Sequence, residues 1–202
     1  MSKPLPTALR SHLTALRMLL VMTVLLGLAY PLLITGAAQA VFTHQANGSL
    51  VQADGRTVGS SLIGQRFDLP GTSGRPDPRW FQPRPSAAGY NPTASGASNL
   101  GPNSADLART VRARRDAVAA FDGVTPSRVP ADAVTASGSG LDPDISPAYA
   151  REQVNRVARA RALAPAAVAR LVEEHIRNRP LGFLGNERVN VLELNRALAA
   201  LR

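Results

Sequence analysis

An uncharged apolar run at residues 18–38 constrains this chain more than any other feature. The run reads MLLVMTVLLGLAYPLLITGAA. At about 1.5 Å per residue, a helix of that length crosses a bilayer core of roughly 30 Å. Lys3, Arg10 and Arg17 precede the run, and the next Asp, Glu, Lys or Arg is Asp54. Because basic residues are retained on the cytoplasmic side, this asymmetry predicts a single membrane-spanning helix with its N-terminus inside.

This topology divides the chain into three parts. We expect a cytoplasmic tail at residues 1–17, a transmembrane helix at 18–38 and one extracytoplasmic domain at 41–202. A cleaved signal peptide is the alternative, because Ala38-Gln39-Ala40 fits a small-x-small cleavage pattern. Signal peptides have shorter apolar regions of about 7–15 residues, so the length of the run favours a retained anchor.

The scarcity of two residue types excludes several kinds of chemistry. The chain has no cysteine, so it has no disulfide framework, thiolate zinc site or cysteine nucleophile. Lys3 is its single lysine, which excludes a Walker A loop and a Schiff-base lysine beyond the membrane. His44 and His175 lack partners at metal-ligand spacing, so no metal site is predicted. The net charge of +9 comes from dispersed arginines and does not indicate nucleic-acid binding.

The first part of the predicted domain combines short strands with a long irregular segment. Asp54-Gly55 is a hairpin-turn dipeptide between two short strand-like stretches. Prolines and glycines crowd residues 69–103, which predicts a loop-rich insertion without long helices or central strands. Trp80 and Phe81 lie in this insertion. Because large aromatic side chains seek burial, we expect the insertion to be packed rather than disordered.

A helix and a strand are predicted after the insertion. The helix is expected at about residues 104–121, with an apolar stripe along one face, Asn103 as its N-cap and Gly123 at its end. The β-prone residues 134–136 then predict a strand. This strand would lead into a glycine-rich loop.

The last third of the chain is predicted to be mostly helical. Ser146 is a suitable cap for one helix, and Pro165 opens a second helix that we expect to reach Ile176. Asn190 and Glu193 form a capping-box-like start for a terminal helix. Strands first and helices afterwards predict the α+β class for the domain.

The loop at 137–144 has the composition of a possible binding site. Its Ser-Gly-Ser-Gly start, ahead of a helix N-terminus, could cradle an anion with backbone N–H groups. Asp142 and Asp144 would repel a phosphate and would suit a cation instead. The alternative is a turn in which glycine adopts a positive φ while Ser and Asp side chains cap backbone groups. That commoner chemistry is favoured.

Five sequence blocks, in order behind the N-terminal anchor, carry a resemblance to a known family. They are GSSLIGQRF at 59–67, FQPRPSA at 81–87, SGASNLGP at 95–102, the block at 129–161 and VNVLELNRAL at 189–198. In these blocks the chain resembles the KdpC family, the single-pass subunits of the bacterial Kdp potassium-transporting P-type ATPase. Asp144 stands where that family usually has histidine, and Ala97 replaces a second glycine.

The resemblance implies an accessory subunit of a high-affinity potassium uptake pump in the bacterial inner membrane, not an independent enzyme. The implied partners are the potassium-conducting subunit, the ATP-hydrolysing P-type subunit and a small membrane subunit. The family is described as a catalytic chaperone that raises the ATP affinity of the hydrolysing subunit. The complex would then handle ATP and potassium, and this chain is expected to bind no cofactor of its own. An external lid over the potassium entrance agrees with the predicted topology.

The candidate partner-binding or ion-path residues lie in the predicted loops or in the membrane helix. They are Gly27, Arg84, Ser95, Asn99, Ser137, Gly138, Ser139, Gly140 and Asp142. Gly27 offers a small surface on which another helix can approach in lipid. No residue is predicted to be catalytic. Two alternatives remain open: an exported membrane-anchored serine hydrolase using Ser137 or Ser139, although a GxSxG motif is absent, and a stand-alone binding protein.

Overall fold

The apolar run lies within one long helix. The computed structural model describes residues 6–201, and Lys3 lies outside this range. Helix α1 (Thr7–Val24), a π-helical turn (Leu25–Ala29) and helix α2 (Tyr30–Val41) are continuous over 35 residues. The combined helix is long and apolar enough to cross a membrane, and its most apolar part is not buried within the described chain. A helix over residues 18–38 is therefore confirmed, and it extends beyond both ends of that range, whereas its membrane crossing and its orientation stay predictions.

The π-helical turn has a cause in the sequence. Pro31 has no backbone N–H, so the carbonyl of Gly27, four residues earlier, loses its usual helical donor. A locally widened turn is one way in which a helix accommodates such an interruption. A short helix, α3 (Thr43–Ala46), follows, and this helical unit ends at Ser49. The unit that begins at Leu50 is called the C-terminal domain below.

The C-terminal domain starts with the predicted hairpin. Strands β1 (Leu50–Ala53) and β2 (Arg56–Ser60) pair antiparallel. Asp54 and Gly55 connect them with φ angles of 49° and 72°. A two-residue turn with both φ angles positive matches the twist of the flanking strands, which explains the Asp-Gly dipeptide.

Helices α4 to α8 build most of this domain. They are α4 (Ala105–Asp122), α5 (Ala131–Val134), α6 (Pro147–Arg161), α7 (Pro165–Glu174) and α8 (Val191–Ala200). Ser146 and Asn190 cap α6 and α8 as predicted, each accepting a hydrogen bond from a first-turn N–H. The predicted cap of α4 is wrong: Ser104, not Asn103, accepts from a first-turn N–H at 3.3 Å. Gly123 ends α4 in the left-handed conformation, as expected.

Three short strands form a second sheet that the sequence does not reveal. Strands β3 (Asp144–Ile145), β4 (Ile176–Arg177) and β5 (Arg188–Asn190) pair antiparallel in the order β3-β5-β4. The strand predicted at 134–136 is wrong, because core packing holds the buried Val134 in α5 despite its β propensity. Ile176 is not helical either, since it pairs with Val189 in the sheet. The α+β class is confirmed.

The irregular insertion is held in place by polar side chains of two helices. Phe81 is completely buried. Asn195 on α8 bonds both the N–H and the C=O of Phe81, each at 2.9 Å. Gln153 on α6 does the same for Gln82, at 2.6 and 3.1 Å. These two amides, here called the backbone clamp, replace the ladder hydrogen bonds that a strand would supply. The predicted packing of the insertion is thus confirmed.

A buried ion pair lies next to the backbone clamp. The guanidinium Nε of Arg156 lies 2.6 Å from Asp122 Oδ1, and the two side chains are 4% and 1% exposed. The same guanidinium donates to the carbonyls of Pro78 and Trp80 at 2.6 and 2.9 Å, and to Oε1 of Gln153 at 2.6 Å. Four of its five N–H donors are thereby matched by acceptors, and such matching is the condition under which a buried charge is tolerated. The pair connects α4, α6 and the insertion.

Glu152 lies beside this ion pair. It lines a cavity of about 640 Å³ together with Asp122, Arg128 and Arg159. Both carboxylate oxygens of Glu152 are buried, and the partner within their reach is the carboxylate of Asp122, with which a hydrogen bond forms when one of the two groups is protonated. Burial, followed by the neighbouring charge of Asp122, raises the pKa of Glu152 to about 7.

Replacing Glu152 by Gln should reduce the pH dependence of the domain's stability. Because the folded-state pKa is raised above the ordinary 4.5, the contribution of Glu152 is complete below that pH and is lost as the pH rises through about 7. Glutamine does not ionise. The fall in Tm between about pH 5 and about pH 8 should therefore be smaller in E152Q than in the wild type. Replacing the exposed Glu174 by Gln is the control, and an unchanged slope in E152Q would contradict the prediction.

Candidate functional site

Six of the predicted site residues come together on one surface. Two loops, at residues 84–96 and 137–142, pack side by side and are here called the two-loop surface. Its central contact is an ion pair between Arg84 Nη1 and Asp142 Oδ2 at 2.8 Å. Both side chains are partly exposed. The Arg84 guanidinium also lies 3.4 Å from the carbonyl oxygen of Thr135. Arg84 therefore connects the proline-rich loop to Thr135, which precedes the glycine-rich loop, and to Asp142, at the end of that loop.

Backbone carbonyls make the remaining contacts between the two loops. The Ser95 hydroxyl and the Gly96 N–H both donate to the carbonyl of Ser139, at 3.0 and 2.8 Å. The Ser86 hydroxyl donates to the carbonyl of Gly140 at 2.6 Å. Short bonds to backbone groups leave little freedom for either loop. The two-loop surface is consequently a pre-formed structure.

Gly140 permits this close approach. Its φ of 67° lies in the left-handed region, and a Cβ at this position would stand 2.6 Å from the carbonyl oxygen of Gly96 and 2.8 Å from Ala88 Cβ. A side chain is therefore excluded by both conformation and space. Gly64 has the same role on the other side, since its Cβ would lie 2.5 Å from the carbonyl oxygen of Asp142.

The hydroxyl groups of the glycine-rich loop act inside turns. Ser137 Oγ accepts from the Gly140 N–H at 2.9 Å, and Ser139 Oγ accepts from the Leu141 N–H at 3.1 Å. His175 lies at the end of α7, where its Nδ1 contacts the carbonyl of its own helix at 2.7 Å. These bonds agree with the turn interpretation of the loop. They provide no serine–histidine hydrogen bond within the described residues.

The carboxylate of Asp142 is also occupied. Its Oδ2 pairs with Arg84, and its Oδ1 accepts from the Asp144 N–H at 3.0 Å. Among residues 6–201 there is no group of three His, Cys, Asp or Glu side chains that could hold a metal ion. The carbonyls of Ser139 and Gly140 likewise already accept hydrogen bonds. The arrangement favours a docking surface over a closed cation site.

Three predicted residues do not share these contacts. Gly27 belongs to the helical unit, within the π-helical turn. Asn99 is exposed in the insertion with a φ of 53°. Gly138 is exposed, and a Cβ there would meet no atom within 4 Å. A role for any of them stays a prediction.

Tyr90 is a member of the two-loop surface that sequence reasoning missed as a site residue. Its hydroxyl donates to the carbonyl of Arg84 at 2.5 Å, and its N–H donates to the hydroxyl of Ser86 at 2.9 Å. Burial raises the pKa of Tyr90, so the phenol stays protonated and remains a donor. The sequence feature that could have identified Tyr90 as a site residue is its position as the aromatic residue of a Pro- and Gly-rich loop.

Asp144 lies at the edge of the two-loop surface. It pairs with Arg188 across β3 and β5, with Oδ2 3.0 Å from Nε. Burial raises the pKa of Asp144, while the nearby guanidinium opposes this shift. In this chain the position thus holds an ion pair within the second sheet.

Comparison with known proteins identifies the family. A family model described as "KdpC: K+-transporting ATPase, c chain" matches residues 12–200. The chain belongs to the KdpC family. A potassium-transporting ATPase KdpC subunit of Kineococcus radiotolerans is 56% identical over 200 residues, covering 98% of this chain and 97% of the relative. KdpC subunits of Streptomyces avermitilis and Sorangium cellulosum are 52% and 56% identical, covering 92% and 93% of this chain and 91% and 96% of the relatives.

KdpC membership confirms the resemblance found in the five sequence blocks. The match begins within α1 and reaches the last residue of α8, so it includes most of the long apolar helix and all of the two-loop surface. The two-loop surface therefore belongs to a subunit of a potassium-transporting ATPase.

Proposed function

We propose that this chain is a non-catalytic accessory subunit of a high-affinity, ATP-driven potassium uptake pump. Its partners are the potassium-conducting subunit, the ATP-hydrolysing P-type subunit and a small membrane subunit. The observation that carries the proposal is the KdpC match over residues 12–200, at nearly the full length of the relatives. The chain supports assembly of the pump and the coupling between potassium binding and ATP hydrolysis.

The proposed location is the bacterial inner membrane. The helix Thr7–Val41 is the single span, the N-terminus is cytoplasmic and the C-terminal domain is outside. Arg10 and Arg17 support this orientation, because they precede the apolar run and basic residues stay inside. A domain outside the membrane does not reach cytoplasmic ATP. An effect on ATP affinity would then pass through the partner subunits.

In the assembled pump, the two-loop surface docks on a partner or lines the external ion path. Its polar groups are already paired, so little ordering has to accompany docking, and pre-organisation of this kind favours binding. The partly exposed pair of Arg84 and Asp142 places a fixed local field at that surface. A direct potassium site is not part of the proposal, since the available oxygens accept bonds within the two loops.

The serine hydrolase alternative receives no support from the geometry. Ser137 and Ser139 accept backbone N–H groups in tight turns, and neither bonds a histidine within residues 6–201. A serine nucleophile requires an adjacent base within hydrogen-bond reach. An association experiment distinguishes the remaining alternative, a stand-alone binding protein, from a subunit of the pump.

Association and topology test the proposal together. The affinity-tagged full chain, co-expressed with the other pump subunits, should co-purify with them in mild detergent, and omission of the chain should abolish potassium-stimulated ATP hydrolysis. A reporter active only outside the cytoplasm, fused at the C-terminus, should be active, and the N-terminus should be uncleaved. A chain that purifies alone, with a pump that works normally without it, would refute the subunit role. An inactive external reporter would refute the orientation.

A further inference from the structure

A groove of about 520 Å³ lies between α4 and the irregular insertion, and it is here called the arginine groove. Residues at helical spacing on one face of α4 line it: Arg114, Ala117, Val118 and Phe121. Three prolines of the insertion line it as well: Pro76, Pro83 and Pro85. Stiff apolar walls with a few polar groups, at this volume, are typical of a ligand-binding cleft.

Arg114 brings a partly buried guanidinium to the arginine groove without a counter-charge. Its Nη1 donates to the carbonyl of Val134 at 3.2 Å. Among residues 6–201, no carboxylate lies within ion-pair distance of Arg114, and its other N–H groups have no acceptor. A charge that is partly removed from water is stable when it is paired or hydrogen-bonded, so this guanidinium favours an anionic acceptor.

The hydroxyl of Tyr149 is a second donor without an acceptor. Tyr149 lines the arginine groove from the first turn of α6 and is 3% exposed. Its backbone N–H donates to Ser146, whereas no residue within 6–201 accepts from its hydroxyl. Burial raises the pKa of Tyr149, so the phenol stays protonated and remains a donor. An unused donor in a buried residue is costly, which again predicts an acceptor in the groove.

The acidic side chains near Tyr149 are engaged elsewhere. They are Asp122, Asp132 and Glu152. Asp122 pairs with Arg156, and both oxygens of Asp132 accept from the N-cap residue of α6. Glu152 lies beside Asp122 in the other cavity. None of the three lines the arginine groove.

The charged residues that do line the arginine groove leave one positive charge unpaired. They are Arg66, Asp68, Arg84 and Arg114. Arg66 lies 3.7 Å from Asp68, and Arg84 is paired with Asp142 at 2.8 Å. Arg114 remains. The arginine groove therefore complements a ligand that carries a single negative charge.

We propose that the arginine groove receives an acidic side chain, flanked by apolar residues, from an external segment of a partner subunit, an inference that rests on the proposed function. The carboxylate accepts from Arg114 and from the Tyr149 hydroxyl, the two donors that the domain leaves unused. The flanking apolar side chains pack against the prolines and Phe121. Planar guanidinium groups pair with carboxylates in a fixed geometry, so this contact would also fix the orientation of the partner.

Two other occupants fit the observations less well. A second copy of this chain carries a net charge of +9, so its approach to an unpaired arginine is electrostatically unfavourable. A phospholipid would have to place two acyl chains in a groove of about 520 Å³ that also holds four charged side chains.

Substitution of the two donors tests the proposal in the assembled pump. The full chain is co-expressed with the other subunits, and its dissociation is followed in mild detergent. Arg114→Gln should dissociate at least about tenfold faster than the wild type, and Tyr149→Phe at least about threefold faster. Arg115→Gln is the matched control, because Arg115 is the adjacent, exposed arginine outside the groove, and it should dissociate at the wild-type rate. Tyr149→Phe should keep the wild-type Tm, because it removes a hydroxyl that bonds nothing in the domain.

Cross-linking identifies the occupant. The chain has no cysteine, so Ala113→Cys, exposed on α4 one turn before Ala117, can carry a single benzophenone at the edge of the arginine groove. In the assembled pump it should cross-link to a partner segment that contains Asp or Glu beside apolar residues. Neutralising that acid in the partner should accelerate dissociation as Arg114→Gln does, and the two changes together should add little, as expected for groups in direct contact.

The outcomes separate the arginine groove from the subunit role. If the wild-type chain does not associate with the pump, the proposed function and the groove proposal both fail. If the wild type associates but Arg114→Gln and Tyr149→Phe dissociate at its rate, the groove proposal alone is refuted. Cross-linking to lipid, to a second copy of the chain or to no acidic partner segment also refutes the groove proposal alone.

Discussion

Replacing Arg156 by alanine should lower the free energy of unfolding of the C-terminal domain by about 3–5 kcal/mol. The substitution leaves the carboxylate of Asp122, 1% exposed, without its counter-charge. It also removes the donor to the carbonyls of Pro78 and Trp80. A single buried charge without a partner costs far more than the pair contributes as a whole, because its desolvation is no longer offset.

The sole tryptophan is a convenient probe of this loss. Trp80 lies directly at the network, and its fluorescence in the detergent-solubilised full chain should report unfolding with a Tm lower by about 10 °C. Arg151→Ala is the matched control on the same helix, because Arg151 forms an exposed pair with Glu173 at 2.7 Å. Exposed pairs are worth about 1 kcal/mol or less. Equal effects of the two substitutions would show that the buried network does not stabilise the domain.

Replacing Gly140 by valine should separate the two loops of the two-loop surface. The new side chain would have to occupy the left-handed region, within 2.6 Å of the carbonyl oxygen of Gly96. Backbone strain and overpacking together should cost about 2–4 kcal/mol. The loop at 84–96 should become more susceptible to limited proteolysis. In the assembled pump, the apparent potassium affinity of ATP hydrolysis should fall several-fold, since the surface would no longer be pre-formed.

Gly101→Val separates this effect from a general intolerance of valine in the insertion. Gly101 is exposed, has no positive φ, and a Cβ there would meet no atom within 4 Å. Its stability, protease pattern and potassium affinity should equal those of the wild type. If the Gly140 variant has an opened loop but an unchanged potassium affinity, the two-loop surface does not contribute to the function of the pump.

Much of the fold follows from local chemistry that can be recognised in the sequence. Asp54-Gly55 encodes its turn, and Ser146 and Asn190 supply the oxygens that the first N–H groups of α6 and α8 require. The long apolar helix is equally evident, because about twenty uncharged residues have few other structures available. The error at the start of α4 is a choice between adjacent polar residues, Asn103 and Ser104, that suit a cap equally well.

The remaining features depend on partners that are distant in the sequence. Strands of two or three residues, such as Asp144–Ile145, are too short to show a period. Arg156 has the same side chain as the exposed arginines of its helix, and its burial depends on Asp122, 34 residues earlier, and on the more distant carbonyls of the insertion. Within the site, the glycine-rich loop was identified from composition, whereas its pairing with residues 84–96 required the tertiary structure.

The backbone clamp has a consequence for the order in which the protein is made. Asn195, which bonds the backbone of Phe81, is translated 114 residues after it. Gln153, which bonds the backbone of Gln82, is translated 71 residues after it. The insertion has no strand or helix of its own within 61–103 to hold it in the meantime. Contacts at such separation close late and slow the folding of a domain. The nascent chain should thus stay unfolded and protease-sensitive until its final helix has emerged, so a ribosome stalled before Asn195 should yield no folded domain.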